Sequence, residues 1–184
     1  MGKITILAFC GSLRKGSYNR MALNAAIQLA PDGVEIEAYD KLGEIPLYNE
    51  DVREQGFPPV VEALRNEVKA ADAIVFVTPE YNYSIPGVLK NAIDWVSRPP
   101  DQPFAGKPCA IMGASISMLG SARAQYHLRQ SLVFLDMHPI NRPEVMIAMA
   151  QDKFDAQGNL KDETAKKLIR QLFENLAAWT KRLA

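Results

Sequence analysis

Two stretches of this sequence concentrate groups able to hold a ligand. The first, Gly11-Ser12-Leu13-Arg14-Lys15-Gly16-Ser17-Tyr18-Asn19, offers hydroxyls, a guanidinium, a carboxamide and flexible backbone donors directly ahead of a run of helix formers. Free N–H groups at a helix N-terminus favour an anion, Arg14 can pair with two phosphate oxygens, and Ser12, Ser17 and Asn19 can add hydrogen bonds. The stretch suits a phosphate, although a solvated turn capped by Ser17 or Asn19 accounts for the same residues. Its glycines have the spacing of a nucleoside triphosphatase loop, but Ser17 stands where that loop needs lysine, and no GxGxxG follows.

The second stretch, Thr78-Pro79-Glu80-Tyr81-Asn82-Tyr83-Ser84-Ile85-Pro86-Gly87, holds two aromatic rings in a segment stiffened by prolines. Flat rings and free backbone amides can grip a flat heteroaromatic ligand by stacking and edge hydrogen bonds. A stiff turn whose tyrosines cover apolar surface is the plainer alternative. Gly113-Ala114-Ser115-Ile116-Ser117 adds small residues that would let a ligand lie close to the backbone. No strong acid or nucleophile accompanies these stretches. His127 and His138 stand beside no Ser or Cys in a nucleophile motif, and Cys10 and Cys109 lack metal-ligand or CxxC spacing, so both read as free, reduced thiols.

The elements that would position these groups alternate along the chain. Lys3 to Phe9 reads as a buried strand leading through the first stretch into a helix. Val34 to Ala38 is a short strand, and Asp40 to Gly56 a surface connection without regular period. Val60, Val61, Leu64 and Val68 mark a helix, and Ala73 to Thr78 a strand apolar on both faces. Ser84 is placed to cap the next helix, with Val88, Leu89, Ala92, Ile93 and Val96 on its buried side. Lys107 to Ser115 is a strand, Arg123 to Leu135 a helix and Val145 to Met149 a last strand. Leu168, Leu172, Phe173, Leu176, Trp179 and Leu183 then define an amphipathic helix. This alternation predicts an α/β fold, a flavodoxin-like doubly wound sheet of about five parallel strands with helices on both faces. In such a sheet the ligand crevice lies beyond the carboxyl ends of the strands, where the loops after the first, third and fourth strands meet.

Composition narrows the partners. Lys plus Arg and Asp plus Glu both number 21 in 184 residues, so no net positive field gathers nucleic acid or an anionic membrane surface. No apolar run approaches the ~20 residues that span a bilayer. The first apolar run ends at Gly11-Ser12 without a cleavage pattern, and reads as a strand rather than a signal peptide. Nothing divides the chain, so one domain over residues 1–184 and a cytoplasmic location are expected.

GSLRKGSYN and TPEYNYSIPGVLKNAIDWVSRP resemble the two signature loops of the NADPH-dependent FMN reductase family, and GSARAQYHLRQSLVFLD is similar to its chromate or quinone reductase branch. The resemblance covers nearly the whole chain. It implies non-covalent flavin mononucleotide (FMN), with NADPH or NADH as electron donor. Ser12, Arg14, Ser17, Tyr18 and Asn19 would surround the phosphate and ribityl chain. Pro79, Glu80, Tyr81 and Asn82 would edge the isoalloxazine largely through backbone groups, and Ser115 would complete the pocket. Ser117, where relatives often carry glycine, would be peripheral. The resemblance also implies a homo-oligomer, dimer or tetramer, in which Arg123, Tyr126 and Glu144 make polar contacts between subunits. Because a flavin itself accepts hydride, the protein needs no acid or base of its own, and a ping-pong cycle with quinones as acceptors is expected. Chromate, ferricyanide, nitro and azo compounds would be further acceptors. A flavodoxin-type carrier without its own NAD(P)H turnover is the alternative, against which the neutral charge speaks, since such carriers are often strongly acidic.

Overall fold

A computed structural model describes residues 2–184. Apolar runs become strands and amphipathic runs become helices, in strict alternation over most of the chain. The strands are β1 (Ile4–Cys10), β2 (Val34–Tyr39), β3 (Ala73–Val77), β4 (Pro108–Ala114), β5 (His138–Pro139) and β6 (Val145–Ile147). The helices are α1 (Tyr18–Gln28), α2 (Glu50–Glu54), α3 (Pro59–Ala70), α4 (Gly87–Val96), α5 (Ala122–Phe134) and α6 (Glu163–Leu183). All strand pairs are parallel, in the order β2-β1-β3-β4-β5, with β6 also on β4. This is the flavodoxin-like winding, in which the chain reverses direction between β1 and β3.

Alternation of side chains along each strand builds two cores. Ile6, Ala8, Val75, Val77, Ala110 and Met112 face α1 and α6 on one side of the sheet. Leu7, Phe9, Ile74, Phe76 and Ile111 face α3, α4 and α5 on the other. The central strand β3 is therefore buried on both faces, as its unbroken apolar run requires. Cys10 and Cys109 are both buried and unpaired, and burial pushes the Cys109 thiol up to about 12.

Four local expectations need correction. Asp40 to Gly56 is not wholly irregular, because a 3-10 turn (Leu42–Glu44) and α2 interrupt it. Ser84 does not cap α4; Pro86 occupies that position, and the Ser84 hydroxyl lies 2.8 Å from His127 Nδ1. The last sheet position is split: β5 pairs with the start of β4 (Pro108↔His138) and β6 with its end (Met112↔Val145). Between them Pro143 has no N–H to donate, and the carbonyls of Ile140 and Arg142 accept from Arg129 and Asn175 instead of from a neighbouring strand. On α6 the buried stripe centres on Ile169, Leu172, Phe173 and Leu176, with Leu183 exposed.

Asp162 caps α6: its Oδ1 accepts from Ala165 N at 2.8 Å and its Oδ2 from Lys153 Nζ at 2.5 Å. The lysine first, then the helix N–H, hold this carboxyl below its ordinary 3.8. A depressed folded-state value means the contribution is complete above the ordinary value and is lost as pH falls through the lowered one. Asp162→Ala is expected to cost about 1 kcal/mol at pH 7. Urea unfolding at pH 7 and again in strong acid should show the gap from wild type narrowing.

Candidate functional site

The loops after β1, β3 and β4 open onto one cleft of about 510 Å³ at the carboxyl edge of the sheet. Ser12, Arg14, Ser17, Tyr18 and Asn19 line it from the first loop, Pro79, Glu80 and Tyr81 from the second, and Ala114, Ser115 and Ile116 from the third. The volume lies in the range of small-molecule and cofactor sites. Asn82 and Ser117, also expected at the site, lie off this lining. A second cavity, about 410 Å³ and lined in part by Pro139, Arg142 and Trp179, lies near the start of β4, away from the three loops.

In the first loop Ser17 is the N-cap of α1, its Oγ accepting from Asn19 N at 3.2 Å and Arg20 N at 3.3 Å. A hydroxyl that accepts twice still has its proton to donate. Capping and ligand binding are thus compatible at Ser17. The N–H groups of Ser12 to Gly16 have no acceptor among the described residues. The Arg14 guanidinium has no hydrogen-bond or ion-pair partner there either, and lies 5.6 Å from the centre of the Tyr18 ring. That ring packs in turn on Phe154 at 5.7 Å. Unspent backbone donors, an unpaired cation and a helix N-terminus together make an anion cradle.

Asn19 lines the cleft, and its side chain also has a task within the fold. Its Nδ2 donates to Ala114 O at 2.9 Å and its Oδ1 accepts from Ala114 N at 2.9 Å. Both ends of the amide are engaged in tying α1 to the end of β4, and the residue is buried. Asn19 lies on the buried stripe of α1 with Ala22, Leu23 and Ala26, a polar residue among apolar ones, and that placement is its sequence signal.

In the second loop Tyr81 and Ser84 exchange two backbone hydrogen bonds, of 3.0 and 2.9 Å, around Asn82 (φ 49°) and Tyr83 (φ 67°). Two consecutive left-handed residues make this a type I′ hairpin turn. Asn82 tolerates that conformation, whereas a bulky aromatic such as Tyr83 does not readily adopt it. The N–H groups of Glu80 and Asn82 have no acceptor among the described residues. The Glu80 carboxylate turns away from open solvent to the start of α5. It accepts from Arg123 N (3.0 Å), Ala124 N (3.2 Å) and Arg123 Nε (2.5 Å), and pairs with the Arg123 terminal nitrogen.

The residues expected between subunits find partners inside the chain. Arg123 pairs with Glu80, and the Tyr126 hydroxyl donates to Glu144 Oε1 at 2.6 Å. Lys90 pairs with the Asp94 carboxylate along α4, and Arg98 Nε donates to the Asp94 carbonyl. In the third loop Ser115 Oγ accepts from Ser117 N at 3.1 Å, so Ser117 braces a cleft residue from behind. Ala114 and Ile116 were not singled out from the sequence, and their only signal is membership of the same small-residue segment.

A five-position doubly wound sheet with its cleft at the switch point defines a flavodoxin-like α/β protein. Residues 4–152 match the family described as NADPH-dependent FMN reductase. An NAD(P)H-dependent FMN reductase of Pseudomonas aeruginosa is 62% identical over 180 residues, covering 98% of this chain and 97% of that protein. A quinone reductase of Escherichia coli K12 is 53% identical over 156 residues, 84% of this chain and 83% of that one. Among solved structures, the NAD(P)H:(acceptor) oxidoreductase FerB of Paracoccus denitrificans superposes with a TM-score of 0.88 at 33% identity, covering 97% and 98% of the two chains. The chain belongs to the NADPH-dependent FMN reductase family.

Proposed function

We propose that this protein is an FMN-dependent NAD(P)H oxidoreductase that passes electrons to quinones, built as one domain over residues 1–184. The observation that carries the reading is the convergence of three loops on one cleft whose phosphate end holds an unpartnered guanidinium and unspent backbone donors. That donor set fits the monoester phosphate of FMN, and the relatives' names supply the donor and acceptor classes. Arg14, Ser12 and Ser17 hold the phosphate, with Tyr18 beside the ribityl chain. The backbone of Pro79 to Asn82 and the Tyr81 ring edge the isoalloxazine, and Ser115 closes the pocket. Bound FMN supplies the hydride acceptor that the side chains lack.

Each residue's task is then positional. Glu80, already neutralised by Arg123, brings no free negative charge to the cleft. Tyr81 and Ile116, both exposed, give the open side an apolar rim suited to flat acceptors. Chromate, ferricyanide, nitro and azo compounds are secondary acceptors in this reading, which also takes the enzyme to be cytoplasmic and a homo-oligomer, dimer or tetramer. No helix among the described residues is long and apolar enough to cross a membrane.

The test is the visible spectrum of the purified protein with FMN, recorded anaerobically before and after NADPH. A bound-flavin band bleached at catalytic rates, and restored by a quinone, is expected. A bound flavin untouched by NADPH or NADH would favour the flavodoxin-type carrier, and no bound flavin would remove the reading altogether.

A further inference from the structure

We propose that Glu80 and Arg123 act as one positioning unit that sets the flavin-edging hairpin from α5, an inference that rests on the FMN reading for its effect on binding. The start of α5 lacks a cap of its own. Ser121 precedes it at φ 72°, and its hydroxyl accepts from the Gln125 side chain rather than from any backbone N–H of the first turn. The orphan N–H groups of the first turn are met instead by Glu80, 43 residues away, whose side chain is only 5% exposed. A cap supplied from another loop fixes that loop as firmly as it fixes the helix.

The neighbours of Glu80 on both sides, Pro79 and Tyr81, line the cleft. Beyond them, the guanidinium of Arg123 lies 3.5 Å from the centre of the Tyr83 ring, the residue held at φ 67°. The attraction between cation and ring face offsets the cost of that backbone conformation. Ser84 closes the hairpin with its contact to His127, also on α5. Three successive ties therefore run from the hairpin to one helix, and the two strongest share Arg123. Arg123 thus has a task inside its own chain, whatever it meets outside. Removing Glu80 leaves two N–H groups and a cation unsatisfied, and removing Arg123 frees a carboxylate beside a site for an anion.

FMN titration of apoprotein by flavin-fluorescence quenching, on E80A, R123A and their double variant, tests the unit. Each single change is expected to raise the FMN Kd about tenfold or more, and the double variant no further than the worse single one, since both remove the same contact. R123K should recover part of the loss. E80Q, which keeps one oxygen able to accept from both N–H groups, is the milder variant should E80A fail to fold. In apoprotein, chymotryptic cleavage after Tyr81 and Tyr83 should accelerate in both single variants. Unchanged Kd and cleavage alongside a lowered melting temperature would mean a merely structural pair and overturn the proposal, as would fully additive effects. Should the wild type take no FMN, the reductase reading falls, while the cleavage rates still decide whether the pair sets the hairpin.

Discussion

Gly113→Ala is expected to lower the melting temperature by about 10 °C, from roughly 3 kcal/mol of overpacking and about 3 °C per kcal/mol for a chain of this size. A Cβ at Gly113 would overlap both the Thr78 carbonyl oxygen and Ser121 Oγ. Neither can move cheaply. Thr78 is fixed by its N–H to Met112 O at 2.9 Å, and the Ser121 hydroxyl is buried beneath Gln125, which also donates to Val145 O at 3.0 Å. The loop from Ser115 to Ser121 folds back onto β4 and β6 so closely that Gly120 too, at φ 54°, would set a Cβ within 2.7 Å of the Met146 backbone. Relief at Gly113 has to come from separating the ends of β3 and β4, which lead directly into the cleft residues Pro79 and Ala114. FMN affinity should therefore fall together with stability. Thermal unfolding followed by circular dichroism decides it, and a shift below about 2 °C would show that the strand ends part easily.

How much of this was legible beforehand follows from where the information resides. β1, β3 and β4 are apolar on both faces, and only a sheet covered by helices on both sides satisfies such runs, so their alternation with helical segments led to the fold. The split of the last sheet position was not legible. The groups that make it tolerable, Arg129 on α5 and Asn175 on α6, are distant in sequence and acquire that role only in the folded chain. The start of α4 misled for a local reason: a serine two residues before a proline looks like a cap, yet here its hydroxyl is drawn to His127.

The site divides in the same way. Residue types and their order after the strands suffice to place Ser12, Arg14, Ser17 and Tyr81 around a cleft, because winding alone brings those loops together. What each polar group spends its hydrogen bonds on depends on contacts across the sheet. Glu80 is a loop carboxylate in the sequence and a helix cap in the fold, and nothing within its own segment signals that α5 starts without a cap. Tyr83 in the left-handed region runs against its local preference, and the Arg123 guanidinium that faces its ring lies outside the segment.

Arg14 and Asn19, five positions apart in one segment, should fail in opposite ways when truncated. Arg14 has no hydrogen-bonding partner among the described residues, so Arg14→Ala removes nothing seen to hold the fold beyond its place over Tyr18. Its expected effect is on the ligand. A hydrogen bond to a charged group contributes about 1.5–3 kcal/mol, so the FMN Kd should rise roughly ten- to hundredfold while the melting temperature of the apoprotein stays within about 2 °C. Asn19→Ala removes two 2.9 Å bonds and leaves the N–H and carbonyl of Ala114 unpaired in a buried place. At about 1–3 kcal/mol for each orphaned group, roughly 3 kcal/mol is lost, and the apoprotein should melt about 10 °C lower. Asn19→Asp tests the assignment further, because a carboxylate can still accept from Ala114 N but repels Ala114 O. It should restore little of the stability, and its negative charge at the proposed phosphate end should weaken FMN more than alanine does. If Asn19→Ala instead kept its melting temperature and lost FMN as Arg14→Ala is expected to, the amide would be a ligand contact, and the tie between α1 and β4 incidental.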